Sequence, residues 1–380
     1  MDAIFDCYLW YFPLLAFFEY ILINKKRIFA SKNGQLRAPY DEDNSYDYRA
    51  GFLFALIVFL PMLLIAGFRY RYFADTTSYV NTFTNFYPNS ISELSTYLTG
   101  EERAPGFIIF GVLIKQIFGN NFRIYLLIIA SISTLSLLST YRKYTSEIVF
   151  VAFLFFSSSD MMSWMMNGMR QFLVASIFFA IVPLLLNKKF IPFLIISLIL
   201  ISFHTSALIA IPVFILALGK PMNKRTFLMM GGILLAIIFI DQFSDLLNDT
   251  LQNTNYQASA SEITDRESDD GTNILRALFY SIPAILALFF RKKIPSDAPQ
   301  IINYSVNMSL MTMAFYFLSV AMSGIYLGRI PIYFSLFNYI LLPWEIKTFF
   351  DKDTRKIVFV IVIIVYIIFY LYQMYTWGLV

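Results

Sequence analysis

The sequence predicts an all-α polytopic membrane protein. Of its 380 residues, 58% are hydrophobic and only 14% are charged, and the mean hydropathy is +0.64. Soluble domains carry roughly 25% charged residues, so this chain has too few polar side chains to cover a surface that faces water. We therefore expect residues 1–380 to form a single transmembrane domain with lipid as its main solvent.

Cysteine and histidine are scarce, which limits the chemistry available to the chain. It contains one cysteine, Cys7, and one histidine, His204. These counts exclude a disulfide framework, a thiolate metal cluster and a multi-histidine zinc or haem site. The sequence also lacks a P-loop, a GxGxxG motif and a His-rich tract. We therefore expect no metal, no other cofactor and no nucleic-acid partner.

About twelve stretches are apolar enough to cross a bilayer, whose core needs about 20 apolar residues per helix and fewer where protein surrounds the helix. A GT-C-like arrangement of such helices is one candidate architecture. Several of the stretches are short, and short or broken helices often mark the binding site of a membrane protein. The expected spans are Ile4–Ile23, Ala50–Gly67, Phe122–Thr140, Ile148–Ser159, Gly168–Leu186, Phe190–Phe203, Thr205–Leu218, Thr226–Ile240, Asn273–Phe290, Asn303–Met322, Leu327–Glu345 and Ile357–Tyr375.

The basic residues predict the orientation of these spans. Twenty of the 29 lysines and arginines lie in one alternating set of loops, which the positive-inside rule assigns to the cytoplasm. The other nine are expected to face outward or to lie in the membrane, and eight of these nine are arginine. They are Arg69, Arg71, Arg103, Lys115, Arg123, Arg170, Arg266, Arg276 and Arg329.

Three outer segments follow from this orientation. Residues 68–105 form an outer loop rich in aromatic side chains, and residues 241–272 form an acidic outer loop. The acidic loop is either a solvated connection or a lid over a polar substrate. Residues 106–119 cannot cross the bilayer completely, because the segments on both sides of them must lie outside. We expect a re-entrant or interfacial half-helix there, next to a cavity that opens outward.

The arginines that break the charge rule predict an anionic substrate, because a guanidinium suits phosphate or diphosphate oxygens better than an ammonium does. Arg170, with Asn167 and Gln171 beside it, begins a helix that runs inward from the outer face, and Arg329 begins another, near Tyr333. Helix N-termini favour anions through their unpaired N–H groups and dipole. Alternatively, some of the arginines pair with nearby acids or reach lipid headgroups.

Candidates for proton transfer lie at the same outer level. His204 stands at the junction of two spans, and the unperturbed imidazole pKa of about 6.5 suits a general base; a hydrogen-bonded structural role is the alternative. Asp75 either orients an arginine or accepts a proton. Glu102 and Arg103 pose the same choice at the start of the re-entrant segment.

Two more arginines, Arg69 and Arg71, follow the outer end of the second span. Tyr79 comes shortly after them. It belongs either to an interfacial aromatic belt or to a surface that stacks on a sugar ring.

Taken in order, these residues resemble the Wzy-type polysaccharide polymerases, and among them the EpsG-like family. The resemblance covers roughly Arg69 to Tyr333. The matching pieces are Arg69 with Asp75 and Tyr79, Pro105-Gly106-Phe107, Asn167 with Arg170 and Gln171, His204 with Ser206-Ala207, and Arg329 with Tyr333.

The resemblance implies a metal-independent glycosyltransferase of the bacterial cytoplasmic membrane, active in O-antigen or exopolysaccharide synthesis. Such an enzyme joins oligosaccharide repeat units carried on undecaprenyl diphosphate, at the outer, periplasmic face of the membrane. A chain-length regulator and a flippase are the implied protein partners. On this hypothesis Arg170 and Arg329 bind the donor diphosphate, and Arg69 and Arg71 help to place the second lipid-linked substrate. His204 is the general base, with Asp75 as the alternative base.

Other function classes stay open. An O-antigen ligase shares the donor chemistry but transfers the glycan to a lipid A core. A flippase would move the substrate without lengthening it, although the sequence shows no internal repeat of the kind that alternating access favours. A membrane acyltransferase could also use a lone histidine, whereas a receptor or a structural protein would need no cluster of outer arginines.

Overall fold

The computed structural model describes residues 10–19, 30–37, 46–99, 104–239, 272–321 and 327–377. Up to residue 99, it contains α1 (residues 10–19), β1 (Ala30–Arg37), β2 (Tyr46–Ala50), α2 (Phe52–Gly67), α3 (Thr76–Asn81), a π-helical turn (Thr82–Phe86), a 3-10 turn (Ile91–Glu93) and α4 (Leu94–Tyr97). The predicted outer loop 68–105 therefore has helical structure of its own.

The middle of the chain is a succession of apolar helices. They are α5 (Pro105–Phe118), α6 (Phe122–Tyr144), α7 (Ile148–Ser157), α8 (Asp160–Met166), α9 (Met169–Leu186), α10 (Phe190–Phe203), α11 (Ala207–Leu216) and α12 (Lys224–Ile238). The last part contains α13 (Ile274–Phe289), a 3-10 turn (Arg291–Lys293), α14 (Gln300–Ala321), a 3-10 turn (Leu327–Arg329), α15 (Ile332–Ser335), α16 (Asn338–Phe349) and α17 (Lys352–Thr376).

Within the described residues, four helices are long and apolar enough to cross a membrane: α6, α9, α14 and α17. The consecutive helices α7 and α8 make a fifth if this bent pair counts as one span, and α2, α5, α10, α11 and α13 are shorter apolar helices. The prediction of a helical membrane protein is thus confirmed. The count of about twelve crossings stays a prediction.

The strand pair is the exception to the all-α expectation. β1 and β2 form a two-stranded antiparallel sheet, in which Leu36 lies opposite Asp47 and Arg37 opposite Tyr46. The two strands directly precede the apolar helix α2. Pairing satisfies the backbone hydrogen bonds of a segment that is too polar to be an apolar helix.

Several helices begin at a residue whose side chain caps them. Asn121 accepts hydrogen bonds from the first amides of α6, Asn223 does so for α12, Asn273 for α13, and Asp351 for α17. Asparagine and aspartate are favoured at this position because their oxygens satisfy amides that have no partner within the helix. These caps fix where the apolar segments start.

One expected span is not a continuous helix. The segment Leu327–Glu345 was predicted to cross as a single helix, but the structure divides it into a 3-10 turn, the four-residue α15 and the start of α16. Pro331 explains the interruption, since proline has no backbone N–H and its ring clashes with the preceding turn. Apolar composition alone could not reveal this break.

The described residues group into two compact units. The first comprises those within Met1–Leu184, Phe190–Ala207 and Ile346–Val380, and the second those within Leu185–Lys189 and Leu208–Glu345. In the first unit α2 packs along α6, α5 packs against α10, and α17 packs against α7. An ion pair between Lys347 and Glu147 joins the end of α16 to the turn before α7, and Lys347 also donates to Ser146 Oγ at 3.3 Å.

The second unit is organised around α14, which packs against α13 and α12. The rings of Tyr280 and Tyr316 stack with their centroids 5.0 Å apart. Buried Asn307 holds the turn between α11 and α12, because its Nδ2 donates to Ala217 O at 2.8 Å while its Oδ1 accepts the Met222 N–H at 2.7 Å. One polar side chain in an apolar helix therefore satisfies several backbone groups of a neighbouring turn.

We expect Asn307→Ala to destabilise the protein, because it leaves buried backbone donors and acceptors without partners. The loss should be on the order of 2–3 kcal/mol, since each orphaned buried group costs about 1–3 kcal/mol. The measurement is the melting temperature of the purified protein in detergent. Asn303→Ala is the matched control: this residue lies one turn earlier in α14 and makes one such bond, to Ala298 O. Equal melting temperatures for the two variants would contradict the role of Asn307.

Candidate functional site

The candidate site in the first unit begins at a break between α7 and α8. These helices meet at 76°, and Ser159 at the corner has a φ of 55°, in the left-handed region. The buried hydroxyls of Ser157 and Ser158 bond back to carbonyls of their own helix, Phe153 O at 2.6 Å and Phe155 O at 2.7 Å. Serine side chains compete in this way with helical hydrogen bonding and favour helix ends. The expected span Ile148–Ser159 therefore ends here, and α8 leads in a new direction to the start of α9.

Arg170 lies in the first turn of α9 and is held by aromatic rings. Its guanidinium carbon is 5.6 Å from the ring centre of Tyr79 and 5.9 Å from that of Phe107. The amide of Phe172 bonds to Gly168 O at 2.9 Å, so the amides before it lie at the open end of the helix. The guanidinium Nε is buried without a hydrogen-bond partner, and no described residue forms an ion pair with Arg170. Arg170 is therefore a half-buried cation with aromatic neighbours, and its role in binding an anion stays a prediction.

Asn167 and Gln171 flank Arg170 as the sequence predicts. Asn167 Nδ2 donates to Ser163 Oγ at 3.1 Å, while its Oδ1 is buried without a hydrogen-bond partner. Gln171 is buried. Both residues therefore belong to the turn that presents Arg170, and their contact with a substrate stays a prediction.

Arg69 has a different environment from Arg170. Its guanidinium is buried and donates three hydrogen bonds, to Thr76 Oγ1 at 2.8 Å, to Met169 Sδ at 3.1 Å and to the carbonyl of Ala66. Burial lowers the pKa of Arg69 to about 10, and the nearby Tyr79 and Tyr125 offset part of that shift. The side chain thus joins the end of α2 to α3 and to the residue before Arg170.

Arg71 is half-buried and, like Arg170, lies beside two aromatic rings. Its guanidinium carbon lies 5.9 Å from the ring centre of Tyr72 and 5.8 Å from that of Phe122. Its Nη2 donates to Asn81 Oδ1 at 2.8 Å, and its Nε is buried without a hydrogen-bond partner. Arg71 therefore keeps donor capacity after its contacts within the protein are counted.

Asp75 is exposed and directly precedes α3, but its carboxylate does not cap that helix. One turn later Tyr79 places its ring beside Arg170. Asp75 thus directly precedes the short helix whose Tyr79 contacts Arg170 of α9.

A second element of the site is the start of α5, where Gly106 allows a close helix contact. A Cβ at Gly106 would overlap Ser202 Oγ and lie 2.9 Å from Phe203 Cδ2. Only glycine lets α5 approach the end of α10 so closely. The contact places the ring of Phe107 6.3 Å from that of Phe203, centre to centre. Phe107 thus lies between Arg170 and the residue that precedes His204.

His204 is half-buried in the turn between α10 and α11. Its Nδ1 lies 2.7 Å from Ser206 Oγ and 3.4 Å from the backbone nitrogen of Ser206. The structure therefore brings together, in the first unit, Arg170, Tyr79, Phe107 and the His204 turn. Sequence reasoning named each of these residues, but not Phe203, whose ring completes the connection.

Lys115 was expected to face outward or to lie in the membrane, and in the structure it donates hydrogen bonds to two backbone carbonyls. Its Nζ donates to Tyr87 O at 2.7 Å and to Thr84 O at 3.2 Å, and it lies 5.9 Å from the ring centre of Phe83. It therefore fastens α5 to the π-helical turn. Tyr87 packs directly against Gly111 of α5, and burial raises the pKa of its hydroxyl while Arg170 offsets part of that rise. A lysine within an apolar helix was the only sequence signal for this contact.

The second unit contains Arg329 and Tyr333. Arg329 is half-buried in a 3-10 turn, and Tyr333 is fully buried in α15. The expectation that Arg329 begins an inward helix, as Arg170 does, is wrong: Arg329 ends a 3-10 turn, Pro331 interrupts the backbone after it, and the helix that follows has four residues. The binding roles predicted for these two residues stay predictions.

Some candidates lie outside the described residues. These are Glu102, Arg103, Arg266 and the acidic segment 241–271. The described residues contain no group of three or more histidine, cysteine, aspartate or glutamate side chains that could hold a metal ion.

Comparison with known proteins gives one match. The model of the EpsG family matches residues 52–378, which is most of the chain. No curated protein and no solved structure matches it.

We expect Gly106→Ala to lower the melting temperature and to separate α5 from α10, because the added methyl group collides with Ser202 and Phe203. Ser202→Gly should restore part of the loss, since it removes one of the two collisions. Gly231→Ala in α12 is the matched control: nothing lies within 4 Å of the added atom, and alanine is favoured over glycine in helices by about 1 kcal/mol. A Gly106→Ala protein as stable as the Gly231→Ala protein would show that the close approach is not needed.

Proposed function

Because the chain belongs to the EpsG family, a family of polysaccharide polymerase-like membrane proteins, we propose that it lengthens a glycan by joining oligosaccharide repeat units carried on undecaprenyl diphosphate. The reaction takes place at the outer face of the bacterial cytoplasmic membrane. It uses no metal ion. The twelve-crossing topology and the GT-C-like arrangement belong to the same proposal.

The observation that carries the proposal is the environment of Arg170. A guanidinium in a membrane protein is costly unless something compensates its charge. Here aromatic rings flank it, and no described residue supplies a carboxylate. The open N-terminal end of α9 adds amides and a dipole that also favour negative charge. A diphosphate oxygen suits both the guanidinium of Arg170 and the N-terminal amides of α9.

The chemistry of the transfer explains why such a site is useful. Breaking the bond between a sugar and a lipid diphosphate leaves negative charge on the diphosphate. Each charge-assisted hydrogen bond to it is worth about 1.5–3 kcal/mol, and about 1.4 kcal/mol of selective transition-state stabilisation is tenfold in rate. Arg170 and the amides of α9 bind the diphosphate in this proposal, and Arg71 helps to place the second lipid-linked substrate.

The acceptor hydroxyl needs a group that takes its proton. His204 and Asp75 are the candidates, and both lie on elements connected to Tyr79 and Phe107, the rings beside Arg170. Arg69 supports this arrangement from within the protein, because it joins Thr76 of α3 to Met169, the residue before Arg170.

The direct test is to incubate the purified protein in lipid nanodiscs with lipid-linked repeat units and to resolve the products on a gel. A ladder of longer glycans supports the polymerase. A single transfer to added lipid A core oligosaccharide would instead identify an O-antigen ligase. Movement of the substrate between leaflets without lengthening would identify a flippase.

We expect Arg170→Ala to reduce the rate of polymerisation roughly 10- to 100-fold, which corresponds to the loss of one charge-assisted contact. Arg170→Lys should keep part of the activity, because the ammonium supplies the charge but not the planar fork of donors. The matched control is Arg123→Ala: Arg123 is an exposed arginine near the start of α6, and its removal should leave the rate unchanged. An undiminished ladder from Arg170→Ala would overturn the assignment.

A further inference from the structure

Arg71 is, besides Arg170, a cation of the first unit that no acid among the described residues neutralises. Its guanidinium makes one hydrogen bond within this part of the chain, from Nη2 to the neutral Oδ1 of Asn81 at 2.8 Å, and its Nε is buried without a hydrogen-bond partner. No described carboxylate forms an ion pair with it. A guanidinium has five N–H groups in a planar fork that matches phosphate oxygens. Arg71 therefore keeps its charge and most of its donors for a ligand.

One side of α3 holds Arg71 in place. The hydroxyl of Thr77 donates to Arg71 O at 3.4 Å, and one turn later Asn81 accepts from the guanidinium. Residues four apart share one face of a helix, whereas residues two apart point about 200° apart. Tyr79, whose ring lies beside Arg170, is two residues from both Thr77 and Asn81. The two arginines therefore contact opposite sides of α3, and each has a site of its own.

The surroundings of Arg71 are aromatic and exposed. The guanidinium lies beside the rings of Tyr72 and Phe122, and the ring of Tyr72 is 5.3 Å from that of Tyr70, centre to centre. Tyr70 and Tyr72 are 68% and 63% exposed, and Phe68, directly after α2, is 59% exposed. Tyrosine is enriched at the membrane–water interface, the level of the lipid headgroups. These neighbours are typical of a side chain at that interface.

An exposed apolar stripe runs along α2 to this aromatic group. Its members recur every three or four residues and so lie on one face of the helix; they are Leu53, Ile57, Leu60, Leu64 and Phe68. At 1.5 Å per residue the stripe is about 22 Å long. One leaflet is about half of the roughly 30 Å hydrocarbon core. A lipid tail that follows the whole stripe is therefore longer than one leaflet is thick.

We propose that Arg71 and the α2 stripe bind the lipid carrier of the second substrate, with its diphosphate on the guanidinium and its polyprenyl tail along the stripe. The assignment rests on the proposed function, and it identifies what this site recognises: the phosphate and the tail, and not the glycan. Charge complementarity favours a phosphate, because the site supplies a positive charge and no acid among the described residues. The length of the stripe favours a polyprenyl tail over the shorter tails of phospholipids.

Two lipid-linked substrates then have separate places in the first unit. The donor diphosphate binds at Arg170 in the proposed function, and the second carrier binds at Arg71, on the other side of α3. Because the helix separates the two sites, both lipids can be bound at the same time. A reaction that joins two lipid-linked units requires this.

Photo-crosslinking tests the site without any transfer reaction. The probe is undecaprenyl diphosphate without a glycan, with a diazirine on the isoprene unit next to the phosphate. It is added to the purified protein in phosphatidylcholine nanodiscs, and labelled peptides are identified by mass spectrometry. We expect labelling of α2 close to Leu64, and we expect Arg71→Gln to weaken the apparent affinity of this labelling roughly 10- to 100-fold. Glutamine removes the charge but can still donate to Asn81.

Matched controls separate this site from its neighbours. Arg123→Ala removes an exposed arginine that directly follows Phe122, and it should leave the labelling of α2 unchanged. Arg170→Ala should also leave it unchanged, because Arg170 contacts the other side of α3. Melting temperatures of all the variants exclude loss of folding as the cause.

Three results would overturn the inference. They are no labelling of α2 in the wild-type protein, equal labelling of wild-type and Arg71→Gln protein, and loss of the labelling when phosphatidylglycerol replaces part of the phosphatidylcholine. The third result would show that the site takes any anionic phospholipid. Labelling of α2 by a protein that forms no glycan ladder would keep the lipid site and refute the polymerase. A ladder from a protein whose α2 is not labelled would keep the polymerase and refute this site.

Discussion

The stacking of Arg170 on the rings of Tyr79 and Phe107 is the contact on which the arrangement of the first unit depends. Each ring comes from a different element, α3 or α5, and the arginine comes from α9. A cation held by π faces is stabilised by about 0.5–2 kcal/mol without being neutralised, unlike a cation in a salt bridge. Its charge therefore remains available, while its position is fixed by three parts of the chain.

The other buried cations of this unit use their donors in hydrogen bonds within the protein. Arg69 and Lys115 direct their donors at a hydroxyl, a thioether and backbone carbonyls, and each of them joins two elements. Carbonyls near a helix end or a π-helical turn have lost their usual partners, and a long basic side chain satisfies them. Arg69 and Lys115 therefore stabilise the packing of the elements that they join. Arg170 and Arg71 differ from them, because the Nε of each is buried without a hydrogen-bond partner.

The sequence predicts more of the fold than of the site. α9 and α10 begin and end within a residue of the predicted spans, because an uninterrupted apolar run bounded by polar residues leaves few alternatives. The predicted end of the span at Ser159 lies close to the end of α7, but the bend into α8 and the division of the segment around Pro331 were missed, since hydropathy does not register a backbone that changes direction. The strand pair was missed as well, because it contributes no apolar signal.

For the site, the residue types were predictable and their roles were not. Arg69, Arg71 and Arg170 look alike in the sequence, as arginines outside the cytoplasmic loops. Only tertiary packing makes the first a buried donor to three groups and leaves the last with rings for neighbours. By contrast, the bond between His204 and the amide two residues later is local, and the His-Thr-Ser spacing could have predicted it.

The contact at Gly106 has a consequence for the way a ligand would meet the protein. Because Gly106 of α5 packs directly against the side chains of Ser202 and Phe203, contacts within the protein hold the start of α5 against the end of α10. Packing within the fold therefore positions Phe107 next to Phe203, the residue before the histidine turn. The entropy of bringing them together is lost when the chain folds, so it does not oppose ligand binding.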